Sequence, residues 1–300
     1  VVASGNFSTV SGGRNSDSPA DYAIVGGGDT NTASGNQSSV GGGEDNTASG
    51  TRATVVGGQL NTASGQRATV GGGQNNTASG ASSFVAGANN TSSGGYSSVG
   101  GGRFNVAGGD YSFVAGFRVN TSVNAPNSVC VGENGVARYR SAFVHSSGTF
   151  SGADNGTAQS IQLISRRQAD LTTGATTTLH LDGSSLNFGF SSNNAAANIL
   201  AEWVAVVDSI TGTATGVSVG DVIAQDNLFL MKEVANTASI VGSVTNTATK
   251  NDTSQSSAAM GYSINASNEL VITFTGATFS GGGTLTYRIV HRMLLVEAIF

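Results

Sequence analysis

The pentapeptide Asn-Thr-Ala-Ser-Gly recurs every fifteen residues in the first half of the chain. A fixed short period means that each repeat is one structural unit that stacks on the next, so the repeat constrains the fold more than any local propensity does. Exact copies begin at Asn31, Asn46, Asn61 and Asn76, and weaker copies begin at Asn90, Asn105 and Asn120, with one residue dropped near Asn89.

A valine occupies the tenth position of every repeat. Two places before it stands a small residue, such as Ser38 or Ala53, so both side chains point to the same side of a short strand. We expect that side to face inward and the valines to form a continuous ladder. The predicted ladder is Val10, Val25, Val40, Val55, Val70, Val85, Val99, Val114 and Val129.

Small residues and glycines complete each repeat. Alanine at the third position, as in Ala33, suits a second short strand packed against the first. Glycines such as Gly35 and Gly42 mark two corners, where positive φ is cheapest for a residue without Cβ. Strand, corner, strand, corner predicts a parallel β-roll over residues 1–134.

The interior of such a roll is thin. One valine and a few small side chains per turn bury little apolar surface, so we expect the coil to pack against other chains. The residues give a reason for assembly but not the number of subunits.

The series Asn-Thr-Ala-Ser-Gly-x-x-Ser-Ser-Val-x-Gly-Gly resembles the head repeats of trimeric autotransporter adhesins. The resemblance covers about residues 1–134 and implies a left-handed β-roll in a homotrimer. The family favours Ala-Ile-Gly or Val-Ala-Gly after the serine, whereas this chain prefers Val-Gly-Gly, a difference that concerns the trimer interface.

The repeat stops after Gly135. We predict a β-rich connector over 135–194 and an antiparallel, jelly-roll-like β-sandwich over 195–300, because apolar runs such as Leu270 to Thr275 alternate with turn signals. Trp203 is expected in its core. This half resembles C-terminal domains of phage tail fibres. That implies a virion location, contact with other tail proteins through a region upstream of Val1, and attachment to a bacterial surface glycan or outer-membrane protein.

Charge and composition exclude some ligands. The net charge is -5 and the only lysines are Lys232 and Lys250, so we expect no nucleic-acid binding. Apolar runs are too short to span a bilayer, so we expect no membrane insertion. Cys130 occupies a slot for small residues, which predicts packing rather than reactivity. No motif calls for a cofactor.

Catalytic patterns are weak. Glycan cleavage needs two carboxylates that flank a bond, but the adjacent Glu44 and Asp45 would point to opposite sides of a strand. No spacing links the other acidic residues Asp226, Glu233 and Asp252. The histidines have no metal-ligand spacing and are expected to be structural; they are His145, His180 and His291. We therefore predict no enzyme activity.

One column of the repeat is a candidate recognition surface. The seventh position carries aromatic and arginine side chains, which are favoured where proteins bind partners. The candidate receptor-contact residues are Tyr22, Arg52, Arg67, Tyr96 and Tyr111. The alternatives are that this column lines the trimer interface or is a mixed surface.

Together these features favour a structural protein, a bacteriophage tail fibre that attaches to a bacterial receptor. Three alternatives stay open: a fragment of a bacterial trimeric adhesin, a tailspike that depolymerises glycan, and an ice-binding face made of Thr and Ser ladders. The last is disfavoured because the positions mix Ser, Thr, Phe and Ile without a regular two-threonine grid.

Overall fold

The computed structural model describes residues 1–148, 158–179, 194–234, 237–251, 255, 257–267 and 269–299. Within these ranges every regular element is a β-strand, which confirms the predicted all-β class. The chain divides into two compact units, Val1–Gly156 and Thr157–Phe300.

The first unit is a coil with two parallel sheets. Strands are numbered in chain order, and odd-numbered strands of two residues form the first sheet. Each is paired with the strand one repeat later, as in Thr47↔Thr62 and Thr62↔Thr77. The strands are β1 Val2–Ala3, β3 Asp17–Ser18, β5 Thr32–Ala33, β7 Thr47–Ala48, β9 Thr62–Ala63, β11 Thr77–Ala78, β13 Thr91–Ser92, β15 Val106–Ala107, β17 Asn120–Thr121 and β19 Val136–Ala137.

Even-numbered strands form the second sheet, which is also parallel, as the pair Val40↔Val55 illustrates. From β10 onward these strands are longer and continue through the glycine segment. They are β2 Thr9–Val10, β4 Ile24–Val25, β6 Ser39–Val40, β8 Thr54–Val55, β10 Thr69–Gln74, β12 Phe84–Ala88, β14 Ser98–Arg103, β16 Phe113–Phe117, β18 Val129–Glu133 and β20 Phe143–Gly148. The predicted parallel β-roll is confirmed.

The coil extends beyond the predicted boundary at residue 134. Strand β19 pairs with β17 and β20 pairs with β18, which makes a tenth turn out of residues assigned to the connector. This turn lacks the Thr-Ala-Ser-Gly signature, but Ala142 and Val144 still occupy inward positions and are buried.

The interior of the coil is lined by valine and alanine. Seven of the nine ladder valines have 0% exposure, and Val10, in the first turn, is half-buried. The predicted place of Val129 in the ladder is wrong. Cys130 pairs with Val114 across sixteen residues and is fully buried, whereas Val129 pairs with the outward-facing Phe113. The corner between Thr121 and Asn127 has two more residues than the corner one turn earlier, and the glycine segment before it has one fewer, so the net register shift is one residue. A shift of one residue moves a side chain to the other face.

The corner after Gly35 also differs from the prediction. The residue with positive φ is Gln37, at 59°, and its equivalent one turn later is Arg52, at 61°. Gly35 is required for a different reason, because a Cβ there would lie 2.1 Å from the carbonyl oxygen of Gly50. The glycine permits close stacking of turns, and the left-handed conformation falls on a residue with a side chain.

The second unit is a sandwich of two antiparallel sheets. Its larger sheet has the order β21-β28-β23-β24-β25 and its smaller sheet the order β22-β27-β26. The strands are β21 Ala158–Leu171, β22 Thr176–Leu179, β23 Asn194–Thr211, β24 Val222–Val234, β25 Thr237–Asn251, β26 Ala259–Ile264, β27 Leu270–Thr275 and β28 Thr284–Ile299. The order β28-β23-β24-β25 is a Greek key. A jelly roll has two such keys, and only one occurs among the described strands.

The predicted connector is not a separate element. Strand β21 pairs with β28 over its whole length, so residues 158–171 belong to the sandwich. Residues 149–157 and 180–193 lie outside the described part of the chain.

Aromatic side chains fill the sandwich core. The ring of Phe274 lies 5.6 Å from the Trp203 ring and 5.0 Å from the Tyr287 ring, both in edge-on contacts. Trp203 is 2% exposed, which confirms its expected place in the core.

Candidate functional site

The seventh residue of each turn lies at an outer corner of the coil and has left-handed backbone geometry, an arrangement we call the corner column. The stacking of turns holds this costly conformation in place. The amide of Arg52 donates to the Asn36 carbonyl at 2.9 Å, and the amide of Arg67 donates to the Thr51 carbonyl at 2.9 Å. The column comprises Phe7, Tyr22, Gln37, Arg52, Arg67, Ser82, Tyr96, Tyr111, Asn127 and Ser141.

Side chains of the corner column are exposed and ordered by their neighbours. Tyr22, Tyr96 and Tyr111 are 52%, 56% and 61% exposed. Tyr96 and Tyr111 stack with ring centres 5.1 Å apart, and Tyr22 stacks on Phe7 at the same distance. Arg52 and Arg67 are both exposed. The five candidate contact residues therefore share one solvent-facing line.

A ladder of buried asparagines supports the other corner and was not predicted from the sequence. The Asn61 side-chain amide donates to the Gly57 carbonyl at 3.1 Å and the Gly73 carbonyl at 2.9 Å. Its Oδ1 accepts from the Asn76 amide at 3.0 Å. The signal that could have found the ladder is the asparagine that opens each copy of the repeat. The fully or almost fully buried members are Asn31, Asn46, Asn61, Asn76, Asn90 and Asn105.

The outer face of the second coil sheet carries an exposed apolar column. Phe84, Phe113 and Phe143 are 38%, 39% and 50% exposed. Smaller residues separate them in the same register, since Ser98 pairs with both Phe84 and Phe113. The column therefore alternates between projecting rings and gaps.

The outer face of the first sheet carries a row of threonines, each followed two residues later by an exposed serine. The threonines are paired in register from strand to strand, as in Thr47↔Thr62. We call this the threonine–serine face. Its central part comprises Thr32, Ser34, Thr47, Ser49, Thr62, Ser64, Thr77, Ser79, Thr91 and Ser93.

The described acidic residues lie in different surroundings. Glu44 accepts a hydrogen bond from the Gln59 side chain at 3.1 Å, while Asp45 is exposed at a left-handed corner. Asp226 instead lies opposite Glu202 on neighbouring strands, and Glu202 forms an ion pair with Arg292. The Glu233 side chain and Asp252 lie outside the described residues.

His291 and Cys130 are buried. Desolvation lowers the pKa of His291 to about 4, and its Nε2 lies 3.4 Å from the Tyr262 hydroxyl. Desolvation raises the pKa of Cys130 to about 12, so its reactive thiolate form is disfavoured. His145 is exposed, and His180 lies outside the described residues.

The described ranges contain neither a cluster of metal ligands nor a membrane-spanning helix. Within them, no three His, Cys, Asp or Glu side chains are grouped so that they could hold a metal ion. The same ranges contain no helix with the length and hydrophobicity needed to cross a bilayer.

The coil is similar to one known protein family. The family model of grass antifreeze β-rolls matches residues 19–116, which lie entirely within the coil. No curated protein matches the chain.

Solved structures similar to this chain include tailspike proteins of phages that infect Acinetobacter. The tailspike of Acinetobacter phage vB_ApiP_P1 is 10% identical with a TM-score of 0.28, and 94% of this chain and 56% of that chain are covered. The tailspike of Acinetobacter baumannii phage AM24 is 9% identical with a TM-score of 0.26, covering 93% of this chain and 58% of that chain. These scores are too low to carry an activity over, and this chain spans little more than half the length of either protein.

Proposed function

We propose that this chain is a non-catalytic attachment fibre, of the phage tail-fibre type, that binds a bacterial surface glycan or outer-membrane protein. The observation that carries the proposal is the corner column, in which Tyr22, Arg52, Arg67, Tyr96 and Tyr111 share one exposed line. Tyrosine and arginine dominate binding energy at recognition surfaces. A stacked coil presents them with little ordering cost, because its backbone is already fixed.

The apolar column supports assembly into a homotrimer. Phe84, Phe113 and Phe143 project from one face, with smaller side chains between them. Identical chains can cover such a face by fitting rings into gaps, which removes apolar surface from water. In this proposal the fibre belongs to a virion tail and contacts other tail proteins. The alternative is that the chain is an adhesin on the surface of a bacterium.

Cell binding tests the corner column. The double variant Tyr96→Ser/Tyr111→Ser introduces residues that the column already contains, Ser82 and Ser141, so the backbone is expected to tolerate it. We expect labelled fibre to lose at least about tenfold in affinity for the cells that the wild type binds. Ser82→Asn, which copies Asn127 of the same column, is the control. Unchanged binding by the double variant would remove the column from the proposal.

A glycan depolymerase remains the enzymatic alternative. Glu202 and Asp226 bring two carboxylates together on the sandwich surface, and paired carboxylates are the usual means of glycoside hydrolysis. Purified fibre incubated with the capsule of the host is expected to release no reducing ends. Release that Glu202→Gln and Asp226→Asn abolish would establish the enzyme in place of the attachment fibre.

Ice binding is a second candidate function, favoured by the threonine–serine face and by the family match to grass antifreeze β-rolls. The face and the family match both lie within the coil. The five threonines of the face repeat on parallel strands about 4.8 Å apart. Thermal hysteresis that Thr62→Asp abolishes would support this candidate. Asp17 occupies the same column, so the substitution suits the fold. Absence of hysteresis in the wild type would eliminate it.

A further inference from the structure

Two arginines and two phenylalanines meet at the second corner of the coil, a group we call the arginine–phenylalanine cluster. The guanidinium carbon of Arg103 lies 4.5 Å from the centre of the Phe104 ring. That of Arg118 lies 5.2 Å from the Phe117 ring and 6.0 Å from the Phe104 ring. The two rings meet edge-on at 6.1 Å. Both cations therefore face one apolar patch.

The coil backbone fixes the cluster. Arg103 pairs with Phe117 between strands β14 and β16. Phe104 and Arg118 have left-handed φ values of 59° and 54°. The Arg118 amide donates to the Arg103 carbonyl at 2.9 Å, and the Phe104 amide donates to the Ala88 carbonyl at 3.1 Å. The side chains therefore start from ordered positions, which lowers the entropy lost on binding.

The positive charge of the cluster is not neutralised by an ion pair. Ion pairs occupy Arg14, Arg288 and Arg292. Within the described residues, neither Arg103 nor Arg118 has a carboxylate at ion-pair distance. The acid nearest in register, Glu133, pairs with Phe117 and accepts a hydrogen bond from the side chain of Asn134 at 3.4 Å. Two cations thus stand together in a chain whose net charge is -5.

We infer that the arginine–phenylalanine cluster binds a carboxylate-bearing sugar unit of an acidic polysaccharide. Guanidinium groups bind carboxylates through paired, charge-assisted hydrogen bonds. Phe104, 39% exposed, offers apolar contact to a sugar ring and displaces water, which strengthens the ionic contacts. A neutral sugar would gain only the apolar part.

The neighbouring corners suit an extended polymer of hydroxylated units. Asn75 and Asn89 precede Phe104 along the same corner. The side-chain amide of Asn75 donates to Asn89 Oδ1 at 2.8 Å. That bond occupies Oδ1 of Asn89, so its side-chain nitrogen can donate to a ligand hydroxyl. One corner side chain is presented per strand spacing, about 4.8 Å, so a polysaccharide laid along the coil meets amide, ring and guanidinium in turn. This inference does not depend on the corner column or on the fibre's origin.

Isothermal titration of the full chain with polygalacturonate tests the inference, with dextran as the neutral probe and inorganic phosphate as the simple anion. We expect binding to polygalacturonate alone, weakening as salt rises. The double variant Arg103→Gln/Arg118→Asn takes its residues from Gln74 and Asn89, which occupy the equivalent positions two turns earlier. It should bind at least about tenfold more weakly, and Phe104→Asn should bind more weakly as well.

Arg138→Ser/Arg140→Gln is the matched control, because it removes the same charge from the coil away from the cluster, and Ser122 and Gln66 occupy the equivalent positions in earlier turns. Its affinity is expected to change by less than about twofold. The inference is overturned if the wild type does not bind polygalacturonate, if phosphate binds equally well, or if the control loses as much affinity. It is also overturned if the cluster variant changes the sedimented mass, since the cluster would then be a subunit contact. Unchanged cell binding in the Tyr96→Ser/Tyr111→Ser variant, with polygalacturonate binding intact, would count against the proposed function alone.

Discussion

The coil and the sandwich reach stability with different side chains. In the sandwich, Trp203, Phe274 and Tyr287 are packed within the core, and the largest fully buried side chains of the described residues all belong to this unit. In the coil the interior is valine, alanine and serine, with asparagines behind one corner. The asparagine side chains link each turn to the next through hydrogen bonds. In one of them the Asn76 backbone amide donates to Asn61 Oδ1 at 3.0 Å.

This difference shows where each unit can carry recognition residues. A coil held by repeated backbone and asparagine hydrogen bonds does not need its outward positions for stability. Phe104 and Tyr111 therefore face solvent from fixed corners. The sandwich buries most of its large aromatic rings in its core. Its surface residues lie on the same strands that carry those rings, so they depend on the packing of the core.

The largest effect should come from the sandwich core. Phe274→Ala removes the ring between Trp203 and Tyr287 and should lower the free energy of unfolding by about 4 kcal/mol. Val204→Ala, on the exposed side of β23, is the control and should cost less than about 1 kcal/mol. Urea denaturation measures both. Equal losses would mean that large buried rings are not what stabilises this unit.

In the coil a polar side chain should matter almost as much. Asn61→Ala leaves the Asn76 backbone amide without its acceptor and the Gly57 carbonyl without its side-chain donor, and it leaves the Gly73 carbonyl with the Gln59 amide alone, at a cost of about 3 kcal/mol. Hydrogen exchange should accelerate at the Asn76 amide and stay unchanged in the sandwich. Gln66→Ala is the control, because Ala81 fills that position one turn later. An Asn61→Ala chain as stable as this control would refute the ladder.

Acid should weaken the sandwich through His291. Burial lowers its pKa to about 4 from an ordinary value of 6.5, so the unfolded chain binds more protons between those values. The unfolding free energy therefore falls as the pH falls through this window, by roughly 2 kcal/mol from pH 7 to pH 4.5. His291→Gln should remove this part of the pH dependence, whereas His145→Gln, at an exposed position, should not. Identical pH profiles for His291→Gln and wild type would contradict the assignment.

The sequence predicts the parallel coil and the all-β class because the period is repeated many times and each strand needs only small residues. It does not predict the register at Cys130, since the two additional residues in the preceding corner have no periodic signature. It also misplaces the end of the coil, because the turn at Val136–Ala137 keeps the inward pattern but not the pentapeptide.

The sites are less predictable than the coil. Tyr96 and Tyr111 could be assigned to one column from spacing alone, and their exposure depends only on the repeat. The meeting of Arg103 with Phe104 and Phe117 depends on a second left-handed position in their corner, held by Phe104 and Arg118, whereas the sequence predicts positive φ there only for the glycines. The pair Glu202 and Asp226 depends on strand register between distant segments, which the sequence does not encode locally.

The account depends most directly on whether single coils associate through the apolar column. Sedimentation equilibrium of the full chain, whose mass is 29.8 kDa, should give the mass of three chains. Phe113→Ser, which copies Ser98 in the same column, should shift the equilibrium toward smaller species. A wild-type protein that sediments with the mass of one chain at all concentrations would contradict the proposed fibre.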